Sequence, residues 1–221
     1  MKELMSIFLS AALLISLAAC GGAPSAADPA TAPTSTAGQT ALTEPSAPAD
    51  DTNDEAAGNG NRKMLVVYFS ATNYTEAVAQ TIADHLDGDL FEITPSQPYT
   101  AEDLNWRDEN SRVCREHDDP ALQTVELDTV TPDNWTDYDT VFIGYPIWWQ
   151  NASWVVTSFV AANDFDGKTV IPFCTSSSSG LGESDKNLAA STEGGNWLEG
   201  VRFRSSVSSD DVTEWLDSLG L

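Results

Sequence analysis

Three short segments carry the residue types that could do chemistry. The first is Ser70-Ala71-Thr72-Asn73-Tyr74-Thr75, which runs directly into a stretch of helical spacing. A helix N-terminus offers unpaired N–H groups and a partial positive charge, a natural seat for a phosphate. The hydroxyls of Ser70, Thr72 and Thr75 add donors without adding charge, and the loop contains no Lys or Arg. Neither GxxxxGK[ST] nor GxGxxG is present, and the plainer alternative is a hydroxyl-rich cap with no ligand. The second segment is Gly144-Tyr145-Pro146-Ile147-Trp148-Trp149-Gln150-Asn151. Adjacent tryptophans beside a strand end suit a planar ligand, which gains burial and stacking; alternatively, at least one of Trp148 and Trp149 plugs the core. The third, Thr175-Ser176-Ser177-Ser178-Ser179-Gly180, can line the edge of a heteroaromatic ring with N–H groups and hydroxyls. As low complexity it is merely a flexible loop.

Other chemistries find less support. The cysteines are Cys20, Cys114 and Cys174, with no CxxC, and the histidines are His85 and His117. No spacing matches a zinc site, so no metal is expected. Cys174 ends an apolar run and is expected as a buried free thiol.

The elements that must position these loops follow from periodicity. Met64–Phe69, Val141–Tyr145 and Thr169–Phe173 are continuous β-branched and aromatic runs, the pattern of strands buried on both faces. Leu90–Ile93 is a shorter strand closed by Pro95 and Pro98, and a fifth strand is expected near Val201–Ser205. Helices are expected over Thr75–Leu86, Trp154–Ala162, Ser184–Ser191 and Asp210–Leu219. The last follows Ser208 and Ser209, good N-cap types. Strands alternating with helices give a parallel sheet covered on both faces, which binds ligands at the carboxyl ends of its strands. All three loops fall after such ends. The polar excursion Thr100–Asp133 has too little periodicity to assign. It either folds over the ligand edge, with Trp106 as a lid residue, or covers an edge strand, the reading slightly favoured.

Ahead of this domain, residues 1–19 read as a secretory signal, with an apolar core around Ile7–Ile15 and then Leu17-Ala18-Ala19-Cys20. The run is too short for a membrane span. Residues 20–61 are rich in Ala, Pro, Ser, Thr, Gly and Asp, and are expected to be a disordered tether. The domain then spans 62–221, with nine Lys and Arg against 27 Asp and Glu, so it carries −18 of the chain's net charge of −24. That balance argues against nucleic acid and anionic lipid surfaces as partners. It fits steering toward a basic partner or, equally, a plain solvated acidic surface.

Together the three loops, with Pro98–Trp106, Glu109-Asn110-Ser111-Arg112 and Val170-Ile171-Pro172-Phe173, resemble the flavodoxin family over nearly all of 62–221. The most specific match is the Gly-Tyr-Pro-Ile-Trp-Trp signature, Gly144–Trp149, of its single-domain group. Leu17–Cys20 resembles a bacterial lipoprotein signal site, which implies cleavage before Cys20 and lipidation of it; the alternative is an ordinary cleaved signal with a chance cysteine. The resemblance implies a flavodoxin-like, doubly wound, five-stranded parallel sheet in the order 2-1-3-4-5, with helices on both faces. It also implies non-covalent FMN. Ser70, Thr72, Asn73, Tyr74 and Thr75 would hold the phosphate. Pro146, Ile147, Trp148 and Trp149 would flank the isoalloxazine, and Thr175, Ser176, Ser178, Ser179 and Gly180 would approach its other edge. The chain departs from the pattern at Asn73-Tyr74 (often Gly-Asn), at Ser177-Ser178 (often Gly-Gly) and at Gln150 (often Gly). Because glycine permits close approach and positive φ, these departures predict a looser grip on the ring.

The implied function is a redox protein passing electrons at the outer face of the membrane, held there by its lipid anchor. NAD(P)H is scarce outside the cytosol, so its redox partner would be a membrane-bound or extracellular protein or a small-molecule acceptor. The alternative is a flavin-binding or interaction module with no catalytic cycle.

Overall fold

Alternate side chains of the first strand serve two different cores. β1 (Met64–Tyr68) turns Leu65 and Val67 to one face and Val66 and Tyr68 to the other, and all four are buried. A strand covered on both sides has no polar face, which is why its sequence reads as an unbroken apolar run. The computed structural model describes residues 63–221. The expected signal segment 1–19, lipidation at Cys20, the tether 20–61 and Arg62 lie outside the described residues.

After β1 come α1 (Tyr74–Leu86) and β2 (Asp89–Glu92), then a long connection containing α2 (Arg112–Asp118). β3 (Thr140–Trp148), the short β4 (Asn151–Ala152), α3 (Trp154–Ala162), β5 (Thr169–Ser176) and α4 (Ser184–Ala189) follow. β6 (Asn196–Trp197), β7 (Val201–Arg204) and α5 (Ser209–Leu219) complete the order. β2, β1, β3 and β5 lie side by side and parallel, and β6 and β7 share the next position, both parallel to β5. With that shared position counted as one strand, the order is the expected 2-1-3-4-5. α1 and α5 pack on the face of Val66, Phe142 and Ile171, and α2, α3 and α4 pack on that of Leu65, Ile143 and Val170.

The fifth strand is broken for a physical reason. Val170 pairs with Trp197 and Phe173 with Val201, so three steps on β5 face four on its neighbour. Pro172 lies in this interval and has no N–H to donate. The Gly200 N–H turns instead to the Asp185 carboxylate at 3.0 Å. The result is a one-residue bulge.

The polar excursion is more ordered than its composition indicates. It contains α2, capped by Ser111, whose hydroxyl accepts from the Cys114 N–H at 3.3 Å. It extends the sheet edge beyond β2 through a Pro95–Leu127 bridge, and it also reaches the ligand end of the sheet. Seven residues make two turns, too short a span for apolar periodicity to show. The remaining helices and strands lie within a few residues of their expected bounds.

Candidate functional site

The carboxyl ends of β1, β3 and β5 open into a cleft of about 590 Å³. It lies where the chain crosses from the β1–β2 side of the sheet to the β3 side, the position at which doubly wound sheets bind ligands.

At the β1 end the loop is shaped for an anion. Asn73 precedes α1 in the left-handed region (φ 65°) and makes no side-chain cap bond, while its carbonyl accepts from the Ala77 N–H at 3.1 Å. The first N–H groups of α1 therefore keep their donors free for a ligand. Ser70 Oγ is buried, with no hydrogen-bond partner in the protein. A buried hydroxyl left unpaired is costly and points to a missing partner. Thr75 is buried and shares a hydrogen bond with Thr175, hydroxyl to hydroxyl at 2.9 Å, which ties this loop to the end of β5.

The aromatic wall comes from an unanticipated hairpin. β3 continues through Pro146, Ile147 and Trp148, turns back at Trp149-Gln150 and pairs antiparallel with β4. Both turn residues have positive φ, 44° and 65°, as a two-residue hairpin of the primed class requires. Trp148 is half-buried and packs edge-on against Phe69, Tyr99 and Trp154, at centroid distances of 5.8, 5.4 and 4.6 Å. Trp149 is 37% exposed and stacks on His117 at 4.2 Å. One tryptophan thus plugs the core edge, and both line the cleft. Gly144, which opens the signature, is there for steric reasons, because a Cβ at this position would lie 2.3 Å from Phe173 Cζ.

The serine run is ordered by its neighbours. Arg202 on β7 donates from Nε to Ser176 Oγ and from Nη2 to the Ser176 carbonyl, both at 2.9 Å. Ser176 Oγ in turn donates to the Ser179 carbonyl. Ser177 and Ser178 are absent from the positive-φ residues, so serine in place of glycine carries no backbone penalty there.

Of the residues expected to bind, Thr72, Tyr74, Pro146, Ile147, Trp148, Trp149, Thr175, Ser176, Ser178 and Ser179 line the cleft together. The Ser70 Oγ and Thr75 are buried close by in sequence, and Asn73 shapes the turn. Gly180 is not among the lining residues. Ala71 and Ser177, inside the expected loops, also line it, as do Leu104, Val113 and Ser205, which were not anticipated, and Trp106, 64% exposed, reaches the rim. Leu104 and Val113 sit in the aperiodic excursion, and Ser205 simply follows the end of β7, where position rather than residue type is the signal. Cys114 and Cys174 are buried and unpaired, and burial pushes the Cys174 thiol up to about 12. Among the described residues, no group of three His, Cys, Asp or Glu side chains could hold a metal ion.

Comparison with known proteins gives the geometry a context. A family model described as flavodoxin matches residues 63–219. A solved candidate flavoprotein from Bacteroides eggerthii is 38% identical, covers 73% of this chain and 99% of its own, and has a TM-score of 0.66. Another, from Bacteroides uniformis, is 39% identical over 71% of this chain and 98% of its own, with a TM-score of 0.65. A flavoprotein from Lactobacillus acidophilus, solved in complex with FMN, is 20% identical over 70% of this chain and 99% of its own, with a TM-score of 0.50, a likeness of fold alone. No curated protein matches.

Proposed function

The chain belongs to the flavodoxin family, and from that premise we propose that it binds FMN non-covalently and serves as an electron-transfer protein. The observation that carries the reading is the buried, unpartnered Ser70 Oγ in the loop that runs into the open N-terminus of a 13-residue helix, a loop whose Thr72 and Tyr74 line the cleft with Trp148. A phosphate supplies the acceptors that this loop lacks, and helix dipole and N–H groups offset its charge without Lys or Arg.

In this reading Ser70, Thr72, Asn73, Tyr74 and Thr75 hold the phosphate. Pro146–Trp149 and the Thr175–Gly180 loop flank the ring. Tyr74 is compatible because its side chain is 49% exposed at the rim. The flavin would supply one- and two-electron chemistry, and the chain's own work is to bind it, orient it and shield it from water. No proton-transfer residue is required of the protein.

Position in the cell belongs to the same proposal. Lipidation at Cys20 and a polar tether to residue 61 would place the domain outside the cytosol, anchored by lipid alone. Its donor would then be a membrane-bound or extracellular redox partner rather than NAD(P)H. The visible spectrum of the purified protein, before and after adding FMN, tests the cofactor. Flavin bands and quenched flavin fluorescence are expected; their absence would leave the alternative of an interaction module. Rapid turnover with NADPH, alongside inertness to membrane donors, would remove the extracytoplasmic electron source.

A further inference from the structure

A buried carboxylate stands behind the aromatic wall. Glu116 on α2 is 6% exposed, although it belongs to a connection of polar composition. Its Oε2 accepts from the Trp154 indole N–H at 2.7 Å and from the Tyr99 hydroxyl at 2.8 Å. Its Oε1 accepts from Arg112 Nε at 2.6 Å. The Arg112 guanidinium donates as well to the Gln97 carbonyl at 2.7 Å and lies 3.8 Å from the Tyr99 ring centroid. Burial and the bond to Glu116 raise the Tyr99 phenol well above its usual range, so it remains a donor.

Three segments meet on this one side chain: the start of α3, the stretch after Pro98, and α2 itself. The two rings it holds, Trp154 and Tyr99, are edge-on neighbours of Trp148. A buried ion pair is a poor source of stability, because packed apolar side chains of similar volume do as well. What a charged acceptor adds is direction, since each donor has one geometry that satisfies it.

The geometry points to Glu116 as a positioning residue, which fixes Trp154 and Tyr99 so that Trp148 presents one ring orientation to the ligand in the cleft. The same anchor holds the Leu104–Val113 rim against that wall. For an isoalloxazine the orientation of Trp148 sets the contact, so the inference rests on the FMN reading.

The test is Glu116→Gln. Glutamine keeps the shape but turns an amide donor toward either Arg112 or the Trp154–Tyr99 pair. The expected result is a flavin Kd raised at least about tenfold, a shifted visible band of the bound flavin, and altered near-ultraviolet dichroism of the tryptophans before flavin is added. Glu116→Asp keeps the charge and should recover part of the band shift. Asn163→Ala is the control: its amide donates to the Val130 and Phe159 carbonyls at 2.9 and 2.8 Å, joining α3 to the same connection away from the cleft. It should lower Tm and leave flavin affinity and band unchanged. If Glu116→Gln behaves like the control, Glu116 merely holds the fold together and the inference is wrong. Should Glu116→Gln not fold, Arg112→Lys takes its place, with a smaller change in the same direction expected and wild-type flavin properties counting against the idea. If the unaltered protein takes up no flavin, the cofactor reading fails, yet the tryptophan dichroism of Glu116→Gln against Asn163→Ala still decides whether this carboxylate orders the wall.

Discussion

Ser70 should respond in opposite directions to two measurements. Its hydroxyl is buried without a partner in the protein, a cost of about 1–3 kcal/mol when no ligand pairs with it. Ser70→Ala removes that cost, so the flavin-free Tm should hold or rise. The same substitution deletes a donor to the phosphate, and FMN affinity should fall about tenfold or more, since a bond to a charged group contributes roughly 1.5–3 kcal/mol. Calorimetry and FMN titration of one variant report both, and a drop in Tm with affinity intact would refute the assignment. Gly144 gives the complementary case, a residue of the signature that serves packing. Phe173 lies over it so closely that Gly144→Ala must displace the ring, costing about 1–3 kcal/mol; thermal melts of the purified variant check this. Types and spacing were enough to read Ser70, Thr72 and Trp148 as site candidates. The Phe173 contact was not legible, because nothing in a one-dimensional pattern says which ring covers which backbone.

At the scale of elements, the strands and long helices were legible because each buries a stripe or a face of the right period. The β3–β4 hairpin was not. Its turn residues, Trp149 and Gln150, are neither Gly, Asn nor Asp, so the usual signal for a two-residue hairpin is missing. The turn forms nonetheless because the turn and β4 are held from outside: Trp149 stacks on His117, and Asn187 Nδ2 donates to Asn151 Oδ1 at 2.8 Å. Gln150 thus occupies a conformation that costs about 1 kcal/mol for a residue with a Cβ. Of the three departures from the family pattern, this is the one with clear backbone strain, since Asn tolerates φ 65° at position 73 and the two serines avoid positive φ. Gln150→Gly should raise Tm modestly and leave FMN affinity unchanged; a fall in Tm would mean that the Gln150 side chain contributes more than its backbone strain costs. The start of the last helix was legible from residue type alone: Ser208 and Asp211 form a reciprocal capping box at α5.

At the scale of the whole molecule, charge outweighs pairing. Residues 62–221 carry 27 acidic against nine basic side chains, yet the described residues form four ion pairs, one of which needs a protonated His85. The unpaired carboxylates repel one another at neutral pH, and repulsion of this kind destabilises the compact state. Added salt should relieve it. Two carboxylates set the response to acid. The Thr100 N–H holds Asp103 below its ordinary 3.8, and the Ser208 hydroxyl does the same for Asp211. A depressed carboxylate stabilises the fold above its unfolded value, and that contribution is lost as pH falls through the folded one. Stability should therefore hold from pH 7 down to about 5 and fall below about 4. In 1 M NaCl, where the screening length is about 3 Å, the Tm at pH 7 should be higher than at low salt. The acid limb should persist, because short hydrogen bonds are screened far less than distant charges. Melting curves across pH at both salt concentrations separate the two contributions. A Tm at pH 7 that salt leaves unchanged would mean that the acidic surface is solvated without cost.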